Sequence, residues 1–221
     1  MIKATVVQNP GMSQGTEPAL PTDKPTLRRQ LRGQRRSLAL KRNRDADAAA
    51  IAATVTTLLD SHFLPPEGSG EPSPSDDQPC VAIYRSLPSE PPTHALAEML
   101  HARHLAVIVP ETLPDMDLDW HQLQADGSEG PGLGPEGIAA ARVILAPALA
   151  VDHSGTRLGQ GGGCYDRALA RRRPDALIVA IVNDQEYAAW PLPRDAHDIR
   201  VDAVITPGGG LSPIPDAVSP S

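Results

Sequence analysis

Arg157 and Asp166 bracket the most glycine-rich stretch of the chain, GTRLGQGGGCYDRAL at residues 155–169. Five of its first nine residues are glycine. Such a run lets successive backbone N–H groups turn to one side and form an anion-binding nest. The next residues, Cys-Tyr-Asp-Arg-Ala-Leu, read as the first turn of a helix, whose N-terminal partial charge favours the same anions. Arg157 can add a guanidinium to a phosphate oxygen. Together these features suit a polyphosphate. The stretch is not a P-loop, because no Gly-Lys-Ser/Thr follows. Nor does it match the dinucleotide fingerprint, in which the glycines come earlier. The plainer alternative is a glycine-rich turn in which Asp166 only favours a helix N-terminus.

The elements that must hold this loop follow from periodicity. Thr26 reads as the N-cap of a first helix, with Leu27, Leu31 and Leu38 on one side. A second helix fits 45–59, with Ala48, Ile51, Ala52, Val55 and Leu59 inward. CVAIY (80–84), LAVIV (105–109), DLDWHQL (117–123), ARVILAP (141–147), ALIVAIV (176–182) and 201–206 read as strands. Helices fit 93–103 and 165–172. Strands alternating with helices predict an α/β fold, a single three-layer α/β/α Rossmann-like domain with a mostly parallel sheet. The glycine loop follows the strand 141–147, and binding sites in such sheets lie beyond the C-terminal strand ends.

Composition bounds the rest. The 221 residues suffice for one sizeable core. Residues 1–25 read as a disordered tail, 26–207 as the domain, 65–79 (PPEGSGEPSPSDDQP) as a flexible insertion, and 208–221 as a second disordered tail. Aromatics make up only 3%, so Ala, Val, Leu and Ile must build the core. The formal charge of −7 argues against general nucleic-acid binding. No apolar run approaches ~18 residues, so no membrane span is expected. Two cysteines, Cys80 and Cys164, show no metal-type spacing. His94, His101 and His104 share a predicted helix but lack a ligand pattern. A cytoplasmic protein with free thiols, acting as a monomer, is the expectation.

The segment APALAVDHSGTRLGQGGGCYDRAL resembles the hallmark of the 5-formyltetrahydrofolate cyclo-ligases, also called methenyltetrahydrofolate synthetases. That hallmark runs Pro, small residues, Asp, Gly, Arg-Leu-Gly, Gly-x-Gly, Tyr-Tyr-Asp-Arg. RRQLRGQRR (28–36) is similar to the family's basic N-terminal helix. IYRSLPSEPPT (83–93) is similar to its strand and loop, with a glutamate seven residues after the isoleucine. HDIRVDAVITP (197–207) is similar to its C-terminal segment. The four pieces occur in the family's order.

The resemblance implies ATP- and Mg²⁺-dependent closure of 5-formyltetrahydrofolate to 5,10-methenyltetrahydrofolate. It makes Arg157 and Tyr165 catalytic. It places ATP on Arg28, Arg32, Arg157, Leu158, Gly159, Gln160, Gly161, Gly162, Gly163, Cys164 and Tyr165. It places the reduced folate on Tyr84, Arg85, Glu90, Gln160, Gly161, Gly162, Gly163 and Cys164. Asp166 and Asp198 would hold the magnesium ion, which takes one or two carboxylates plus phosphates and water. A pterin presents an N–H and an amino group side by side, and Glu90 could accept from both. Arg85 could equally be a salt bridge at a strand end, Asp198 a solvated acid, and the arginine helix a solvated basic face. Arg35, Arg36, Arg42 and Arg44 are read as surface. Cys164 departs from the family, which has an aromatic residue there. Val151 stands where the family has Phe. The alternative reading is a non-catalytic or re-tasked folate- or nucleotide-binding relative.

Overall fold

A computed structural model describes residues 23–63 and 78–215. The tail 1–22, residues 65–77 of the expected insertion and the end from 216 lie outside the described residues. Helix α1 spans Lys24–Ala39 and starts earlier than Thr26. Asp23 is its N-cap and accepts from the Thr26 N–H at 2.8 Å. Pro25 fits the first turn, where a missing N–H is harmless. Lys24 and Pro25, expected in the tail, therefore belong to the helix. Its buried stripe runs Leu27, Leu31, Arg35, so Arg35 takes the third inward place rather than Leu38.

The remaining helices are α2 (Arg44–Phe63), α3 (His94–Ala102) and α4 (Cys164–Ala170). The strands are β1 (Cys80–Ala82), β2 (Ala106–Thr112), β3 (Leu118–Leu123), β4 (Glu129–Gly132), β5 (Ala141–Pro147), β6 (Ala150–Asp152), β7 (Arg157–Leu158), β8 (Leu177–Ile181), β9 (Tyr187–Ala188), β10 (Ala203–Thr206) and β11 (Gly210–Pro213). Eight strands form one sheet in the order β11-β10-β8-β5-β1-β2-β3-β4. The five from β10 to β2 are mutually parallel, and β3, β4 and β11 join antiparallel. Residues 210–213, expected in the tail, therefore form β11. Gly210 has φ +68, which turns the chain back so that β11 pairs with β10.

Period-two side chains divide the core into two layers. On one face Val81, Val107, Val143 and Val179 pack with Ile51, Val55 and Leu59 of α2 and Leu96 and Leu100 of α3. On the other, Ala82, Ile144, Ile178 and Ala180 pack with Ala168 and Leu169 of α4, with Trp120, and with Ile138 of the 3-10 turn Pro135–Ala140. Burying a Leu or Val fully stabilises by about 1.5–3 kcal/mol, and these side chains are among the most enclosed in the chain. The three-layer reading holds.

A second sheet, β7-β6-β9, was not anticipated. Its strands have two or three residues, too few for a period to register. Helix α1 lies against it through Leu27 and Leu31, which meet Leu149, Ala150, Leu158 and Leu192. Buried Asp152 ties its turns together, accepting from the N–H groups of Ser154 at 2.8 Å, Thr156 at 3.0 Å and Leu192 at 2.8 Å. This small unit follows the C-terminal end of β5 and carries Arg157 into place.

Candidate active site

A cavity of about 590 Å³ lies where α1, the glycine loop, the loop after β1, the end of β2 and the segment Asp195–Asp198 converge. It is lined by Arg28, Tyr84, Arg85, Glu90, Arg157, Gly159 to Tyr165, Asp166 and Asp198. Two of the expected residues do not line it. Leu158 is buried in the contact with α1, and Arg32 supports the loop instead.

The glycine loop joins β7 to α4. Gly161 has φ +107 and Gly163 φ +70, a region that side-chain-bearing residues enter only with strain. Gly163 is the N-cap of α4. Arg157 is buried, and its Nη2 donates to Asp166 Oδ1 at 2.5 Å. Its Nε has no hydrogen-bond partner. Its guanidinium lies 5.8 Å from the centroid of the Tyr165 ring, within cation–π range. The Tyr165 hydroxyl is also buried and unpartnered, and burial pushes the phenol far above its ordinary range. Tyr165 packs edge-on against Trp120, with centroids 6.4 Å apart. The site therefore keeps a guanidinium nitrogen and a neutral hydroxyl free of protein partners.

Helix α1 grips the loop through carbonyls. Arg28 Nε donates to Gly159 O at 3.0 Å. Arg32 Nε donates to Gln160 Oε1 at 3.0 Å, and its Nη2 to Gln160 O. The basic face is thus not solvated in the way a surface charge run would be.

Glu90 is 6% exposed. Its Oε2 accepts from Leu87 N–H at 3.0 Å, and its Oε1 lies 3.5 Å from Gln160 Nε2. The expectation that Arg35 is a surface residue is wrong, and Arg44 is only partly exposed. Arg35 is 2% exposed and is held by Glu186 at 2.6 Å through both Nε and Nη2. Arg44 donates to the carbonyl of Glu90 at 2.9 Å. Arg42 pairs with Asp47 at 2.6 Å, largely buried, so it too leaves the surface class. Tyr84 is buried and donates to Pro91 O at 3.2 Å. Burial, with Glu90 nearby, pushes that phenol well up. Arg85 is exposed and pairs with Glu129 on β4, at the cavity rim.

Asp198 is 8% exposed, not a solvated acid. It pairs with Lys24 and accepts from Asp195 N–H at 2.7 Å. Burial pushes its carboxyl up, but Lys24 and that N–H outweigh it and hold it below the usual range. Asp195, His197 and Asp198 bring their ligand atoms within 4.8 Å of one another, and Asp166 is not of that group. The oxygen donors suit a hard divalent cation. Lys24 also pairs with Asp195 at 2.7 Å, so the cluster is already charge-compensated.

The model of the 5-formyltetrahydrofolate cyclo-ligase family matches residues 73–207, more than half of the chain. The chain belongs to this family. A 5-formyltetrahydrofolate cyclo-ligase from Mycolicibacterium smegmatis is 34% identical over 146 residues, 59% of this chain and 75% of that protein. The mitochondrial 5-formyltetrahydrofolate cyclo-ligase of Arabidopsis thaliana is 30% identical over 128 residues, 54% of this chain and 45% of that one. The 5,10-methenyltetrahydrofolate synthetase of Mycoplasma pneumoniae superposes with a TM-score of 0.57 at 17% identity, over 82% of this chain and 97% of that one. The Aquifex aeolicus 5,10-methenyltetrahydrofolate synthetase gives 0.59 at 23%, over 88% and 96%. At these identities the likeness is one of fold, and it agrees with the α/β reading.

Within this family member, the matched segment leaves out α1, which contributes Lys24, Arg28, Arg32 and Arg35. Lys24 was missed because it sits beside a proline at the edge of a low-complexity stretch. The signal available was Asp23, a capping residue followed by Pro in the first turn. Cys164, half-buried on the cavity wall, is the loop's departure from the family pattern.

Proposed function

We propose that the protein converts 5-formyltetrahydrofolate to 5,10-methenyltetrahydrofolate, using ATP and magnesium and releasing ADP and phosphate. The observation that carries the reading is one cavity lined by Arg157, Tyr165, Glu90 and Arg28. In the reaction proposed, the formyl oxygen takes the γ-phosphoryl group of ATP. N10 of the folate then attacks the formyl carbon, and phosphate leaves with that oxygen. Arg157, with a free Nε, would stabilise charge on the transferred group, since such transfer depends on positioning and electrostatics. The glycine loop and Arg28 would hold the triphosphate. Glu90 would accept from the paired N–H donors of the pterin, and Tyr84 would flank the ring. Asp166 and Asp198 would hold magnesium, which when bound offsets triphosphate charge. Both acids have cationic partners that the ligand would have to displace, Arg157 and Lys24.

The protein is taken to act as a monomer. Both cysteines are free, which supports a reducing compartment, read here as the cytoplasm. No helix among the described residues is long and apolar enough to cross a membrane.

The test is direct. Purified protein is given 5-formyltetrahydrofolate, ATP and magnesium, and the absorbance of the methenyl product is followed. Folded protein with no turnover would overturn the proposal. A second reading, a re-tasked folate or nucleotide binder, is favoured by Cys164 in place of the aromatic. Tight folate binding without ATP-dependent product would select it.

A further inference from the structure

Arg35 lies outside the segment matched by the family model and was expected on the surface, yet it is among the most enclosed side chains in the chain. Its surroundings are built as a chain of fixed groups. Asn183 donates to Glu186 Oε2 from its backbone at 2.8 Å and its side chain at 3.0 Å. Glu186 in turn takes the Nε and Nη2 of Arg35 at 2.6 Å each, and Nη2 also donates to Ala148 O. Two of the three guanidinium nitrogens are thereby anchored. The third, Nη1, is buried, has no hydrogen-bond partner, and lies 3.7 Å from Glu90 Oε1.

A purely structural arginine would be satisfied by this bidentate pair and carbonyl. The leftover nitrogen points at the carboxylate that lines the cavity. The gap exceeds the about 2.7–2.9 Å of a charge-assisted hydrogen bond. Around Glu90 stand Arg35 from α1, Glu186 beyond β8, Gln160 from the glycine loop, and the phenols of Tyr84 and Tyr165, while Arg44 of α2 binds its backbone carbonyl. Two buried carboxylates therefore share one fully buried guanidinium.

We propose that Arg35 is a positioning residue for Glu90, fixing that carboxylate where it accepts from the paired N–H donors of a pterin-type ring. This rests on the reading of Glu90 given under the proposed function. Arg35 touches no substrate atom. It acts through Glu90, and Glu186 fixes its own orientation. Lysine would keep the charge but not the planar fork that spans both carboxylates.

The experiment measures equilibrium binding of 5-formyltetrahydrofolate and, separately, of ATP to the full chain. It compares wild type with Arg35→Lys, Glu90→Gln and the double variant. Arg35→Lys is expected to weaken folate binding about tenfold and leave ATP binding within about twofold, as loss of a hydrogen bond at one subsite requires. In the Glu90→Gln background the same substitution is expected to add no further loss. A fall in thermal stability with both affinities unchanged would overturn the proposal, as would a folate loss that persists without Glu90. Should Arg35→Lys fail to fold, Glu186→Gln keeps the guanidinium and loosens its anchor. It is expected to weaken folate binding and spare ATP, and unchanged folate binding there would overturn the proposal. Wild-type protein that binds no reduced folate would overturn the functional reading itself.

Discussion

Across the glycine loop, Arg157 Nη2 and Asp166 Oδ1 lie 2.5 Å apart, so the loop's guanidinium and its carboxylate neutralise one another. Ligand binding must therefore exchange partners rather than fill an uncompensated site. A phosphate oxygen would draw on Arg157 while a cation drew on Asp166. The two groups are nine residues apart in sequence and one hydrogen bond apart in space.

Replacing either member should harm turnover far more than folding. For Arg157→Ala and Asp166→Ala we expect turnover to fall ~10²–10³-fold, as when one group stabilising developing charge is removed. Denaturant unfolding should show a loss of about 1–3 kcal/mol from the unpaired partner. That leaves a folded protein if the domain has an ordinary stability of about 5–15 kcal/mol. Loss of cooperative unfolding in both variants would make the loop mainly structural.

The two thiols should react at very different rates. Burial pushes the Cys80 thiol up to about 11, and the residue is packed in the sheet. Cys164 lines the cavity and is half-buried. Titration of native protein with an aromatic disulfide at pH 8 should modify Cys164 first and Cys80 only on unfolding. ATP should slow the first phase. Equal rates for both would contradict the placement of Cys164 on the wall.

Restoring the aromatic should tighten folate binding. A ring at 164 would add a face to the folate side of the loop, and aromatic pairing contributes about 0.5–1.5 kcal/mol beyond burial. The Kd for 5-formyltetrahydrofolate of Cys164→Tyr should fall about 2- to 10-fold, which is the same quantity in affinity. An unchanged Kd would show that no ring face is missing.

Acid should destabilise the protein through Asp152 and Asp198. Burial pushes the Asp152 carboxyl up, but the Leu192 N–H, the Ser154 hydroxyl and the N–H groups of Thr156 and Ser154 outweigh it and hold it below the usual range. A depressed carboxylate stabilises the fold above the ordinary aspartate pKa of about 4 and loses that contribution as pH falls through its folded value. Lys24 is raised: burial lowers it, and its pairing with Asp195 and Asp198 more than reverses that. Its contribution is complete below about 10.4 and fades above it. Urea unfolding of Asp152→Asn should show a loss of about 1–3 kcal/mol at pH 7, from unmade hydrogen bonds. The variant should also show a shallower decline between pH 5 and pH 3 than wild type, within the window of about 5 to 1 in which a depressed aspartate titrates. An identical acid slope would remove Asp152 as its source.

Long periodic segments were legible. The strand 141–147 has the bounds read from the sequence, and Ala48, Ile51, Val55 and Leu59 of α2 face inward as expected, with Ala52 only partly buried and Leu58 buried beside them. The glycine loop was legible because its chemistry is local. What stayed hidden depends on distant partners. Arg35 looks like one more member of RRQLRGQRR until Glu186, 151 residues away, supplies the counter-charge that lets it be buried. The β7-β6-β9 sheet carries no period because its strands are so short. Strand β11 reads as a tail because GGGLSP is turn-forming by composition, and only its pairing with β10 makes it a strand.

Helix α1 brings Lys24, Arg28, Arg32 and Arg35 to the cavity and its supports from a single rod seated on the small sheet. The end of the rod that would meet phosphate and the turn that would steady the pterin-reading carboxylate cannot move independently. A ligand that pins the rod prepays part of the ordering that the other ligand requires. Thermodynamic linkage then demands reciprocity: whatever factor ATP contributes to folate affinity, folate returns to ATP. The seat of Leu27 and Leu31 on Leu149 and Leu158 is the contact that holds both ends of the rod in one register.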